Sequence, residues 1–197
     1  MKKNLLVYLM IVVSLFAKAQ NVGIGTLTPT ETLDVAGNIK SASTIKANAF
    51  QFNTQKTYYY SVSGADFVAK NSADKIYREG ITSGGAFFLT STDGMVAPVH
   101  LPHGAILTKM TVQFADQGIA VDLMVNLRIN SGYQILASIT SSGVVGEGSL
   151  SDSTISNAVI DNSLRAYVID ATPVGGQWPG ANMIVHRIIL EYRLSQL

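Results

Sequence analysis

Residues 121–130 read Val-Asp-Leu-Met-Val-Asn-Leu-Arg-Ile-Asn, and this alternation constrains the fold more than any other feature. Val121, Leu123, Val125, Leu127 and Ile129 fall on one face of an extended chain, with Asp122, Asn126, Arg128 and Asn130 on the other. Period two belongs to a strand with one buried side. Ile106, Met110, Val112 and Phe114 repeat it, as do Tyr133, Ile135, Ala137 and Ile139. A long final strand carries Ile184, His186, Ile188, Leu190, Tyr192 and Leu194, and shorter candidates lie at 57–62, 86–90, 95–100 and 164–170. Gly84-Gly85, Asp93-Gly94, Pro102-His103-Gly104, Asp116-Gln117-Gly118 and Gly175-Gly176 punctuate these runs with turn chemistry. After residue 20 no helical spacing persists over twelve positions. Many short strands without helical crossovers predict an all-β chain built on an antiparallel sandwich or jelly roll.

The first 19 residues obey a different rule. Lys2 and Lys3 precede an apolar run from Leu5 to Ala17, which ends in Ala17-Lys18-Ala19. A basic start, an apolar stretch and small residues one position apart make a secretory signal peptide. As a membrane anchor, thirteen helical residues reach only about 20 Å, short of the roughly 30 Å hydrocarbon core. Cleavage after Ala19 leaves 11 basic and 13 acidic residues, a charge of −2, and no later apolar stretch long enough to span a bilayer. Charged residues make up 14% of the chain against a usual 25% or so. Such a surface lacks the clustered Lys and Arg that nucleic acid requires. The absence of cysteine excludes disulfides, thiolate metal sites and lipid attachment through cysteine. The predicted location is outside the cell or at its surface.

Residues 20–56 carry too little apolar material to fold alone: Val22, Ile24, Leu27, Leu33, Val35, Ile39, Ile45 and Phe50. Ordering a backbone costs about 1–2 kcal/mol per residue, more than so few side chains offset. The segment is therefore either a disordered linker or a piece that finds its missing core on other copies of itself. Val22 with Ile24, Leu33 with Val35, and a tight reversal at Ala36-Gly37-Asn38 before Ile39 favour the second.

The stretch Asn21-Val22-Gly23-Ile24-Gly25-Thr26, Pro29, and Leu33-Asp34-Val35-Ala36-Gly37-Asn38-Ile39 resembles a repeat of bacterial surface fibres and phage tail-fibre proteins, V-G-I-G-T-x-x-P-x-x-x-L-x-V-x-G-x-I. The resemblance covers about a tenth of the chain. It implies a homotrimer with an intertwined β-rich stem, residues 20–56, leading into a globular head. Heads of that group often cleave themselves through a serine–lysine pair. No such pair can be placed here, so self-cleavage is not carried over. Residues 57–197 resemble a β-sandwich domain of secreted bacterial proteins of unassigned function. The carrying residues are Tyr59-Tyr60-Ser61-Val62-Ser63-Gly64-Ala65-Asp66-Phe67, Ala97-Pro98-Val99-His100-Leu101-Pro102-His103-Gly104-Ala105 and Thr154-Ile155-Ser156-Asn157-Ala158-Val159-Ile160-Asp161-Asn162.

No motif for chemistry emerges. His100 and His103 flank Pro102 and would point to opposite faces of a strand, and His186 is the only other histidine. Asp116, Asp122, Asp152, Asp161 and Asp170 stand in no calcium-loop frame. No nucleophile elbow, catalytic trio, phosphate loop or dinucleotide fingerprint is present, and no spacing pairs Glu31, Glu79, Glu147 or Glu191 for sugar cleavage. The binding candidate is Gly175-Gly176-Gln177-Trp178-Pro179-Gly180, where Trp178 and Gln177 could meet a sugar ring; alternatively Trp178 folds back as an apolar plug or a subunit contact.

The sequence reading is thus an exported, non-enzymatic structural or adhesive protein without cofactor or metal. A trimeric stem through Val22, Ile24, Leu33, Val35 and Ile39 presents three jelly-roll-like heads to glycans or other cell-surface proteins. The alternative is a carbohydrate-binding module working through the Trp178 loop.

Overall fold

The computed structural model describes residues 21–78, 84–130, 133–142, 145–156 and 159–196, so the leader read from residues 1–19 lies outside the described residues. The chain divides into two compact units, Met1–Asn48 and Ala49–Leu197.

The described part of the first unit contains β1 (Val22–Ile24) and β2 (Leu33–Val35). They pair in parallel, Val22 opposite Leu33 and Ile24 opposite Val35. The chain turns between the two strands and bends again at Ala36-Gly37, where the sequence predicts a reversal, but Ile39 beyond lies in no strand. The cause is local. Gly25 takes a φ of 75° where a Cβ would press on the Ala36 carbonyl at 2.9 Å. The Asp34 carboxylate accepts from the Thr30 backbone N–H (3.0 Å) and hydroxyl (3.1 Å), closing the connection. In this register the four apolar side chains of β1 and β2 share one face. Val22, Ile24, Leu33 and Ile39 are each more than half exposed.

The second unit begins with β3 (Gln51–Ser63), a 3-10 turn at Gly64–Asp66, β4 (Val68–Ala69), β5 (Ile76–Arg78), β6 (Ala86–Phe88) and β7 (Met95–Val99). It continues with β8 (Ile106–Asp116), β9 (Asp122–Ile129), β10 (Ile135–Thr140), β11 (Gly146–Asp152), β12 (Tyr167–Val174) and β13 (Met183–Gln196). One sheet runs β10-β9-β12-β7-β4; the other runs β11-β8-β13-β6-β5, with β3 also on β13. Among the described residues every strand pairing in this unit is antiparallel. The predicted antiparallel β architecture is what the described residues of this unit adopt.

The inward sets follow the alternation. Leu123, Val125, Leu127 and Ile129 of β9 meet Tyr167, Ile169 and Ala171 of β12, and both pack with Met110, Val112, Phe114, Ile188 and Leu190 from the other sheet. Two boundaries differ from the sequence reading. β3 starts at Gln51, so sheet structure begins before the expected boundary at Thr57. β12 starts at Tyr167 because Asp161 organises a turn: its side chain accepts from Ser163 N–H (3.0 Å) and its carbonyl from Arg165 N–H (3.0 Å). β11 was not foreseen at all. Gly-Glu-Gly-Ser-Leu-Ser-Asp has the composition of a loop and becomes a strand because β8 offers it a full register, Gly146 on Asp116 to Asp152 on Met110.

Candidate functional site

The five-stranded sheet turns its second face away from the core, and that face holds an unusual set of buried polar groups. Antiparallel register builds it row by row. Arg128 lies opposite Val168, which lies opposite Pro98; Asn126 lies opposite Asp170, which lies opposite Val96; Met124 lies opposite Thr172. Each is the outward partner of an inward core residue, as period two demands.

Asp170 anchors the arrangement. Its Oδ1 accepts from Arg128 Nε at 2.5 Å and its Oδ2 from Lys70 Nζ at 3.0 Å. Lys70 reaches it from the end of β4, where its backbone N–H donates to the Gly94 carbonyl at 3.0 Å. Only glycine fits at 94: a Cβ would overlap the Thr172 methyl and the Ala171 carbonyl and approach Lys70 Nζ. The Asp170 and Arg128 side chains are almost entirely covered, whereas that of Lys70 is about one-third exposed. A carboxylate so buried needs both cations.

Their hydrogen-bonding capacity is not exhausted. Asn126 Oδ1, Arg128 Nη1 and Thr172 Oγ1 are buried without a hydrogen-bond partner among the described residues. Asn126 is only 4% exposed, yet with Lys70, Arg128, Asp170, Tyr133 and Ile135 it lines a cavity of about 220 Å³. Tyr133 completes the wall. Its φ of 55° is left-handed, the one positive φ outside glycine among the described residues, a conformation that costs about 1–2 kcal/mol. It sets the ring 5.2 Å from the Arg128 guanidinium carbon and leaves the residue 79% exposed. An exposed aromatic face thus stands beside buried donors and an acceptor.

Trp178 is elsewhere, and the structure corrects its expected role as an exposed stacking platform. The residue is 1% exposed, its Nε1–H donates to the Met183 carbonyl at 2.8 Å, and its ring meets Phe88 edge-on at 5.5 Å. The glycines around it let the loop fold inward, and the indole finds both apolar contact and a partner for its N–H. Gln177 remains exposed but is engaged by the Thr90 hydroxyl at 2.7 Å. The plug alternative describes Trp178.

The remaining candidates disperse. His103 Nδ1 accepts from Asn162 N–H and lies 3.7 Å from Asp161, while His186 Nε2 lies 3.1 Å from Glu147. Among the described residues no three His, Asp or Glu side chains gather as metal ligands. Asp116 is buried against the Ser141 hydroxyl and accepts from Gly118 N–H at 3.1 Å. Asp152 is held below the usual carboxylate range chiefly by the Thr154 hydroxyl, Asp161 chiefly by the Ser163 hydroxyl, and Glu191 chiefly by Lys109. No helix among the described residues is long and apolar enough to cross a membrane.

No family model matches this chain, and no curated protein does. Similar solved structures include the CBM36-1 domain of a multidomain xylanase from the hindgut metagenome of Trinervitermes trinervoides (10% identity, 68% of this chain and 96% of that one, TM-score 0.47). Another is the C-terminal CBM6 of LamC, a marine laminarinase from Zobellia galactanivorans (12% identity, 68% and 98%, TM-score 0.46). A third is the xylan-binding module CBM15 (12% identity, 69% and 97%, TM-score 0.47). At such identities and TM-scores the likeness says nothing about what this chain binds.

Proposed function

We propose that this chain is an exported, non-catalytic glycan-binding protein whose binding surface is the outward face of β7, β9 and β12. One observation carries the reading: Asn126, Arg128 and Thr172 hold buried, unused hydrogen-bonding atoms on one sheet face, and two of them line a cavity walled by the Tyr133 ring. Burying such atoms unpaired costs about 1–3 kcal/mol each, a cost that a hydroxyl-bearing ligand removes on binding. Asp170 already holds Arg128 and Lys70 beside the cavity, so the shift that opens these buried atoms to a sugar is confined to the side chains that cover them. A glycan array probed with the wild-type chain and with Tyr133→Ala tests this. Binding that falls about tenfold or more in the variant supports the site, whereas an unchanged array profile removes it.

A second reading concerns the first unit, and the open apolar face of β1 and β2 favours it. Val22, Ile24, Leu33, Val35 and Ile39 assemble with two further copies into a homotrimeric stem, giving three binding surfaces to one adhesive particle. Linked sites gain avidity without any new contact. Sedimentation at micromolar concentration should give a trimer that Leu33→Asp dissociates. A wild-type monomer would exclude the assembly.

A further inference from the structure

The same sheet face carries a second and larger cavity, and its chemistry differs from the first. It encloses about 420 Å³, within the roughly 300–1,000 Å³ of small-molecule sites. Pro98 and Val168, the row next to Arg128, form part of its wall, so the two cavities adjoin across that row. Asn130, whose N–H donates to the Ala166 carbonyl at 2.8 Å, lies one outward step beyond Arg128 on the β9 side. Asn126 and Asn130 are four residues apart, about 13 Å along an extended chain. That span fits a short oligosaccharide better than one sugar.

Arg165 distinguishes the larger cavity. It is half-buried in the wall with His100, Asn130 and Asn162, and its guanidinium donates to no described residue. Asp161 is the nearby acid: its Oδ1 accepts from the Ser163 backbone at 3.0 Å and hydroxyl at 2.5 Å and lies 3.7 Å from His103, and its charge acts on Arg165 without a hydrogen bond between the two side chains. The Asn162 amide is committed to the Leu101 carbonyl at 2.8 Å. Across both cavity walls the permanently charged side chains are Lys70, Arg128, Arg165 and a single carboxylate, Asp170, whose two oxygens are already taken. With Asp161 counted beside the wall, these three cations face two carboxylates, a local excess of one positive charge on a chain whose charge after residue 19 is −2.

We propose that the ligand is an acidic oligosaccharide, its neutral ring seated against Tyr133 and Arg128 and a sugar carboxylate held by Arg165 in the larger cavity. The planar guanidinium offers two parallel donors that match a carboxylate, and Pro98, Leu101 and Val168 supply apolar wall for the ring bearing it. This rests on the reading of the face as a glycan site and adds the class of glycan.

Calorimetric titration of the full chain tests it. The probes are tetrasaccharides of galacturonate, guluronate and hyaluronan, each beside its methyl ester, with neutral cello- and laminari-tetraose as controls. At least one acid should bind ten times more tightly than its ester, and Arg165→Gln should abolish that difference. Tyr133→Ala should weaken acid and ester alike. Equal affinity for acid and ester in the wild type, with both lost in Tyr133→Ala, overturns the acidic ligand and leaves the glycan site standing. Acid selectivity that survives Arg165→Gln overturns the assignment of Arg165. No binding of any probe overturns both.

Discussion

Replacing Trp178 by alanine separates an indole that holds the fold from one that holds a ligand. A buried tryptophan removes about 150–250 Å² from water, worth roughly 4–6 kcal/mol at about 25 cal/mol per Å² as an upper bound. Measured large-to-small changes of this kind cost about 3–5 kcal/mol. The variant also strands the Met183 carbonyl and removes the edge-on contact with Phe88. About 4 kcal/mol is expected, a fall in Tm of roughly 8–16 °C for a unit of this size. Trp178→Phe keeps a ring and loses the hydrogen bond, so a loss of about 1–2 kcal/mol is expected. Urea and thermal unfolding followed by circular dichroism read both values, and the array profile of folded Trp178→Phe should match wild type. An alanine variant within 0.5 kcal/mol of wild type would refute the buried indole, and loss of glycan binding in a stable phenylalanine variant would restore the loop as the site.

Asp170→Ala leaves Arg128 covered and without its carboxylate, and a loss of about 3 kcal/mol in urea unfolding is expected. Asp170→Leu combined with Arg128→Met should recover most of that loss while still abolishing glycan binding. Acid should weaken the fold in a definite window. Asp152, Asp161 and Glu191 titrate lower when folded than unfolded, so their contribution is complete above about pH 4.5 and disappears as pH falls through the lowered values. Urea midpoints from pH 6 to pH 2 should show that decline, and Thr154→Ala should reduce the part due to Asp152; a midpoint independent of pH over that range would contradict these assignments.

Strands were legible where one face is apolar and the other polar, because the core enforces the alternation along β8, β9 and β13. β11 escaped because a Gly- and Ser-rich edge strand gets its order from its neighbour and not from its own side chains. The parallel pairing of β1 and β2 escaped for a related reason: the Asp34–Thr30 bonds and the Gly25 turn that create it have no periodic signature. For the site, the alternation did place Asn126, Arg128 and Asn130 opposite the core, but so placed they resemble any solvated face. What distinguishes them is Asp170 brought beside Asn126 from a strand 44 residues away, with Lys70 arriving from a third strand. That juxtaposition belongs to topology. Trp178 misled for the opposite reason, since glycine-rich composition signals a loop without saying which way its largest side chain turns.

Amide shifts of the ¹⁵N-labelled chain, followed during titration with the tightest-binding oligosaccharide, test the assignment of the sheet face directly. Perturbations should concentrate on Asn126, Arg128, Tyr133, Val168 and Asp170. Shifts confined to residues 175–180 or to residues 21–48 would contradict it.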